Sequence, residues 1–138
     1  MNDCLFCKII AKEIPSTAVY EDVDVYAFLD VGPVNPGHVL VVPKAHSSGL
    51  LDTDPQMLKT WTIVVQNIAR AVKLGLGVSG FNLQQNEGVV AGQTIMHLHA
   101  HIIPRYEHDG LKLWSSKRYA SPEEAQTIAE KIKNKLIT

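Results

Sequence analysis

Apolar residues recur at helical spacing in two stretches of the chain and at strand spacing through most of the remainder. In "DPQMLKTWTIVVQNIARAVKLG" (54–75), Met57, Leu58, Trp61, Val64, Val65, Ile68, Ala69 and Val72 fall on one face, as an amphipathic helix requires. Asp54 is placed to N-cap it, Pro55 suits its first turn, and Gly75 or Gly77 ends it. A second helix is predicted over "SPEEAQTIAEKIKNKLI" (121–137), opened by the capping-box pattern of Ser121 and Glu124 with Pro122 at its first position. Ala125, Ile128, Ala129, Ile132 and Leu136 form its apolar face. Both stripes are expected to face a core.

Strand patterns fill the gaps. "AVYE" and "VYAFLD" flank a "DVD" turn and predict a hairpin, and "HVLVVP" predicts a strand stopped by Pro43. "FNLQQN" and "MHLHAHIIP" follow the long helix, separated by the glycine-bearing loop "EGVVAGQ"; "FCKIIAKE" reads as a short N-terminal helix. Short links between strands favour an antiparallel sheet and an α+β fold.

With 138 residues and no repeat or linker, the chain is expected to form a single domain over 1–138. Its formal net charge of −1 and the absence of a basic run argue against nucleic acid or a membrane surface as partner. The N-terminus has acid before its apolar part and lysine within it, unlike a secretory signal, so a cytoplasmic location is expected. The two cysteines, Cys4 and Cys7, are spaced C-x-x-C. In a reducing compartment that pair points to metal or redox chemistry rather than to a disulfide framework.

Three of the six histidines, His97, His99 and His101, stand at alternate positions in "TIMHLHAHIIPRY". On a strand they share one face, with neighbours about 6.6 Å apart, while Leu98, Ala100 and Ile102 take the other. Two chemistries fit such a row. It could cage a metal, or one neutral imidazole could serve as a nucleophile toward phosphorus or an acyl carbon, with a neighbour protonating the leaving group.

"HLHAHIIP" also fits the pattern His-φ-His-φ-His-φ-φ, where φ is apolar, and here the chain resembles the histidine triad (HIT) family of nucleotide-binding proteins. "CLFCKIIAKEIPSTAVYED", "AFLDVGPVNPGHVLVVPKAH" and "NEGVVAGQT" resemble further blocks of that family in the family's order, so the likeness runs over residues 4–106. It implies the HIT fold: a five-stranded antiparallel sheet with one long helix and shorter flanking helices. It also implies a homodimer, with the long helix and a strand at the interface. Trp61 would then lie either at that interface or in the subunit core, and Trp114 falls where relatives carry a tryptophan near the active site or partner.

The resemblance implies roles residue by residue. His99, the middle histidine, is the expected nucleophile toward the α-phosphorus of a nucleotide. His101 lies near the leaving group, and His38 is the expected fourth active-site histidine. Gly92, Gln93 and Thr94 would supply a phosphate loop, with Gly92 allowing close backbone approach and the other two offering N–H and hydroxyl donors. Asn86 would reach the ribose or phosphate side and Asp30 the ribose hydroxyls. Phe6, Ile9, Phe28 and Val31 would wall the base. Metal-containing relatives imply a structural Zn2+ held by Cys4, Cys7, His46 and His97; a redox C-x-x-C is expected beside a thioredoxin-like βαβ pattern, which this chain lacks.

The expected reaction is hydrolysis of purine nucleoside phosphoramidates; the zinc-type cysteines lean toward the Hint-like branch but do not settle the substrate. Dinucleoside polyphosphate hydrolysis is the rival reaction, because "AGQT" and "IIPR" also resemble that branch. A non-catalytic nucleotide-binding scaffold is the rival from another class. Transfer of the nucleotide to a sugar phosphate is conceivable chemically, but the chain looks too short for a second substrate site.

Overall fold

The computed structural model describes residues 3–137. Helix α1 spans Leu5–Ile10, followed by strands β1 (Ala18–Glu21), β2 (Val25–Leu29) and β3 (Val39–Pro43). The long helix α2 (Pro55–Leu76) leads to β4 (Gly80–Gln84), β5 (Ala100–Arg105) and a last helix α3 (Pro122–Lys133). The five strands form one antiparallel sheet in the order β1-β2-β3-β5-β4, so the fold is α+β as expected.

Local chemistry sets the boundaries. The Asp22 carboxylate accepts the N–H groups of Asp24 and Val25 at 2.8 Å each and closes the β1–β2 turn. Asp54 accepts the N–H of Gln56 at 2.8 Å at the start of α2. Of the two candidate stops, Gly77 ends that helix, in the left-handed conformation at φ 65°.

Strands β2 and β3 are buried on both faces, so their sequences read as near-continuous apolar runs. On one face Val25, Ala27, Val39, Val41, Ala100 and Ile102 pack under α2 against Val64, Val65, Ile68 and Val72. Each valine or isoleucine among them contributes about 1.5–3 kcal/mol by leaving water. Trp61 belongs to this core and donates its indole N–H to Val41 O at 3.1 Å. On the other face Tyr26, Phe28, Leu40 and Val42 meet Phe6 and Ile9 of α1. Phe28 pairs with Leu40 across β2–β3, and Leu40 with His101 across β3–β5. That row carries the histidines to the α1 face.

Two expectations are corrected. The final strand begins at Ala100 rather than Met96. Before it, the chain bends so that His97 N–H bonds Ile95 O and Leu98 N–H bonds Ser47 O, which turns His97 toward the cysteines. The alternation survives the bend: Leu98 lies in the α2-side core, while His97 and His99 both meet the Phe6 ring. The second correction concerns α3. Its cap forms, with Ser121 Oγ accepting Glu124 N–H at 3.1 Å and the Glu124 carboxylate reaching back to Ala120 N–H rather than to Ser121. Its apolar stripe is not core-facing, however, since α3 has no buried residue and Ile132 is 61% exposed. The segment after Arg105 carries the helix away from the sheet, and periodicity shows that a face is apolar without showing what covers it.

Candidate active site

A pocket of about 200 Å³ opens on the α1 side of the sheet. It is lined by eight of the residues anticipated for the site: Phe6, Ile9, Phe28, Asp30, Val31, Thr94, His99 and His101. Val31 stands at the rim, 98% exposed, rather than in a buried wall. Leu5, Pro15, Ser16, Leu40 and Ile95 complete the lining and were not anticipated. Leu40 had a usable signal, since strand parity and pairing with Phe28 put it on this face. Ile95 lies in irregular chain and had none.

His97, His99 and His38 have their tautomers fixed by backbone groups whose roles are unambiguous, and that of His101 follows from His38. A backbone carbonyl only accepts, so the nitrogen facing it carries the proton. His99 Nδ1 lies 2.7 Å from His97 O and is therefore N–H, which leaves the lone pair on Nε2. His97 Nε2 lies 2.7 Å from Pro43 O and is N–H, which leaves the lone pair on Nδ1. Val34 N–H donates to His38 Nδ1 at 3.1 Å, so His38 carries its proton on Nε2. That proton is donated to His101 Nδ1 at 2.9 Å, and His101 must then carry its own proton on Nε2. Asp30, His38 and His101 stand close enough to share a cation, but the direct hydrogen bond between the two histidines already accounts for their spacing. Asp30 Oδ1 accepts Gly32 N–H at 2.8 Å, and Oδ2 lies 3.7 Å from His38 Nε2.

Burial, opposed by the nearby Asp30 carboxylate, pushes the pKa of His38 down. Burial also lowers His99, against the pull of its hydrogen bond to His97 O and the charge on Asp30. Burial, then His99, then His38 push His101 down to about 4. The cluster is neutral at pH 7, as a nucleophile and an N–H donor require. Native pKa values below the ordinary 6.5 mean that the unfolded chain binds more protons in acid, so stability is full above pH 6.5 and falls as pH drops toward 4. Melts of chelator-treated protein at pH 7.5 and 4.5 are expected to show that loss, and His101→Gln is expected to reduce it. An unchanged acid loss in that variant would remove His101 as a contributor.

Cys4, Cys7, His46 and His97 form a second cluster, their ligand atoms all within 4.8 Å of one another. Cys4 caps α1 and Cys7 lies one turn on, so both sulfurs face the same side. Zinc bonds of about 2.3 Å to sulfur and about 2.05 Å to nitrogen imply tetrahedral edges of about 3.3–3.8 Å. Three edges fall in that range, at 3.5 Å for Cys4 Sγ to His97 Nδ1, 3.6 Å for Cys7 Sγ to His97 Nδ1 and 3.4 Å for Cys7 Sγ to His46 Nδ1, and the 3.1 Å between the two Nδ1 atoms is slightly shorter. The donor set thus fits a zinc ion, with the lone pair of His97 already turned inward.

The loop before the histidines departs from its expected role in part. Gly92, at φ 97°, ends the short 3-10 turn Val89–Ala91 and packs against Asn86, whose Nδ2 lies 3.5 Å from where a Cβ would stand. Neither residue lines the pocket. Gln93 differs from the free donor expected there: its N–H bonds Gly88 O, and all three side-chain contacts go to protein groups. Of the three loop residues, Thr94 reaches the pocket.

The HIT domain model matches residues 11–108. The chain belongs to the HIT family. A crystal structure of a HIT family member from Bacillus subtilis superposes with a TM-score of 0.91 at 41% identity, over 99% of each chain. The histidine triad nucleotide-binding protein of Candida albicans gives a TM-score of 0.84 at 33% identity, over 96% of each chain. Adenylylsulfatase HINT3 of Arabidopsis thaliana is 43% identical over 116 residues, 84% of this chain and 58% of that protein. Among the described residues of this HIT protein, no helix is long and apolar enough to cross a membrane.

Proposed function

We propose that this protein is a nucleotidyl hydrolase of the Hint-like branch that cleaves purine nucleoside phosphoramidates through a nucleotidyl-histidine at His99. The observation that carries the reading is the His97 carbonyl on His99 Nδ1, which keeps the Nε2 lone pair free beside the pocket. The names of two relatives, an adenylylsulfatase and a histidine triad nucleotide-binding protein, support an adenylyl nucleotide as the substrate class.

In this mechanism the base lies among Phe6, Ile9 and Phe28, and the ribose hydroxyls donate to Asp30. Thr94 holds a phosphate oxygen. His99 Nε2 attacks the α-phosphorus and the P–N bond breaks. His101 Nε2–H donates a hydrogen bond to the departing nitrogen, which leaves as the amine after taking a proton from solvent. Water then attacks phosphorus, the P–N bond to His99 breaks, nucleoside monophosphate departs and a proton returns to solvent. His38 holds His101 in the donating tautomer throughout. Cys4, Cys7, His46 and His97 would hold Zn2+, which would supply a cross-link between the N-terminal segment and the sheet.

The test offers an adenylyl phosphoramidate and a dinucleoside triphosphate side by side. Faster turnover of the phosphoramidate is expected. Hundredfold faster turnover of the dinucleotide would favour the rival hydrolase, and AMP binding without product or adduct would favour a scaffold.

We also propose a cytoplasmic homodimer joined through α2 and β4. β4 is an edge strand, and the groove of about 620 Å³ between it and α2 has an apolar floor of Val65, Ala69, Leu74, Phe81 and Leu83, with Thr62, Gln66, Arg70 and Lys73 of α2 also lining it. Such a groove beside an open edge suits a second copy. Sedimentation at the 15.2 kDa mass of a single chain would reject the dimer.

A further inference from the structure

Residues 86–95 and 46–53 meet beside the pocket, fastened at the surface by Glu87 Oε1, which accepts Leu50 N–H at 2.8 Å, and in the interior by one buried amide. Gln93 is 3% exposed. Its Oε1 accepts Gly88 N–H at 2.8 Å, and its Nε2 donates to Ser48 O at 2.6 Å and to Ile95 O at 3.1 Å. The side chain therefore closes the 88–93 turn, curls the backbone from 93 to 95 around itself, and ties both to the loop that follows His46. That second loop is itself held, because Asp52 accepts the N–H groups of Ser48 at 3.0 Å and Gly49 at 2.8 Å. Thr94 sits between two anchored residues, is spent on none of these bonds, and lines the pocket with His99 and His101.

We propose that Gln93 is a positioning residue that acts through Thr94, fixing the Thr94 N–H and hydroxyl where charge develops on the phosphorus oxygens. This rests on the hydrolase reading above. Donors help a transition state when they are aimed before the reaction begins. A misplacement of about 1 Å costs about 10²-fold. The buried amide supplies that aim by anchoring both neighbours of Thr94, while its own donors are already used.

Gln93→Glu tests the proposal. The glutamate keeps the shape and one acceptor for Gly88, but its other oxygen turns toward the carbonyls of Ser48 and Ile95. Facing two carbonyls in a buried site, the carboxylate has its pKa pushed up, and its protonated form regains one donor. At pH 8 kcat is expected to fall by about 30-fold or more with KM within about threefold. The ratio to wild type should recover as pH is lowered to 6. Thr94→Val should cost a similar factor, and the double variant should lose little beyond Thr94→Val alone. A loss confined to KM, a loss without acid recovery, or additive losses would overturn the proposal. Gln93→Met, which keeps the volume without the buried charge, covers the case in which the glutamate fails to fold; it should show the kcat loss without pH recovery, and wild-type kcat in it would also overturn the proposal. Binding of AMP, followed on the Thr94 amide resonance, separates this inference from the function it rests on. If wild type turns over no nucleotide, yet AMP shifts that resonance in wild type and not in Gln93→Met, the hydrolase reading falls and the staple stands. Equal shifts in both would sink the staple.

Discussion

His99→Ala is expected to lower turnover of an adenylyl phosphoramidate by at least about 10³-fold while AMP affinity changes by no more than a few-fold. The nucleophile forms a bond that exists only on the reaction path, so its loss falls on kcat. Ground-state contacts from Asp30, Thr94 and the apolar wall remain. The substitution also removes a ring packed edge-on to Phe6 at 5.0 Å and leaves a void, so a thermal melt must accompany the kinetics. A second measurement needs no variant. A denaturing alkaline quench of wild type during turnover of labelled substrate should trap a peptide containing His99, since the N-phosphorylated imidazole of the intermediate survives base and is lost in acid. Label on a peptide without residue 99, or full activity in the variant, would remove His99 as the nucleophile.

The row of alternate histidines carried most of what was legible about this site. Period two put three imidazoles on one face, and register with Phe28 and Leu40 decided which face. What the pattern could not carry was the proton on each ring. Those protons depend on the Pro43 carbonyl at the end of β3, and on the His97 carbonyl and Val34 N–H in irregular backbone, contacts that leave no periodic trace. The same limit explains Gln93. A polar residue in a glycine-bearing loop reads as a ligand contact, and only the meeting of two loops distant in sequence shows its amide to be engaged. For the fold, α2 was legible because a cap, a stripe and a glycine stop agree. α3 carries an equally regular stripe and buries nothing in this chain, since amphipathicity gives a face its character and leaves its partner open.

Cys4→Ala is expected to abolish zinc binding and lower the melting temperature by about 10 °C, while turnover falls by less than about tenfold. The asymmetry follows from where the cluster sits. Zinc would join α1 to His46 after β3 and to His97 before β5, segments far apart in sequence, so its removal loosens how the N-terminal helix seats on the sheet. Phe6 and Ile9 still pack against Phe28 and Leu40, so the fold persists without the metal. The groups that orient His99 and His101 do not pass through the cysteines: His97 O still holds His99 Nδ1, and His38 still holds His101 Nδ1. His97 itself stays anchored by Pro43 O, so the carbonyl it presents to His99 moves little. Chelation of wild type should reproduce the melting shift and should leave the variant unchanged. Freshly purified wild type without zinc, or a melting temperature indifferent to chelator, would remove the metal from this account and leave Cys4 and Cys7 as a reduced thiol pair at the head of α1.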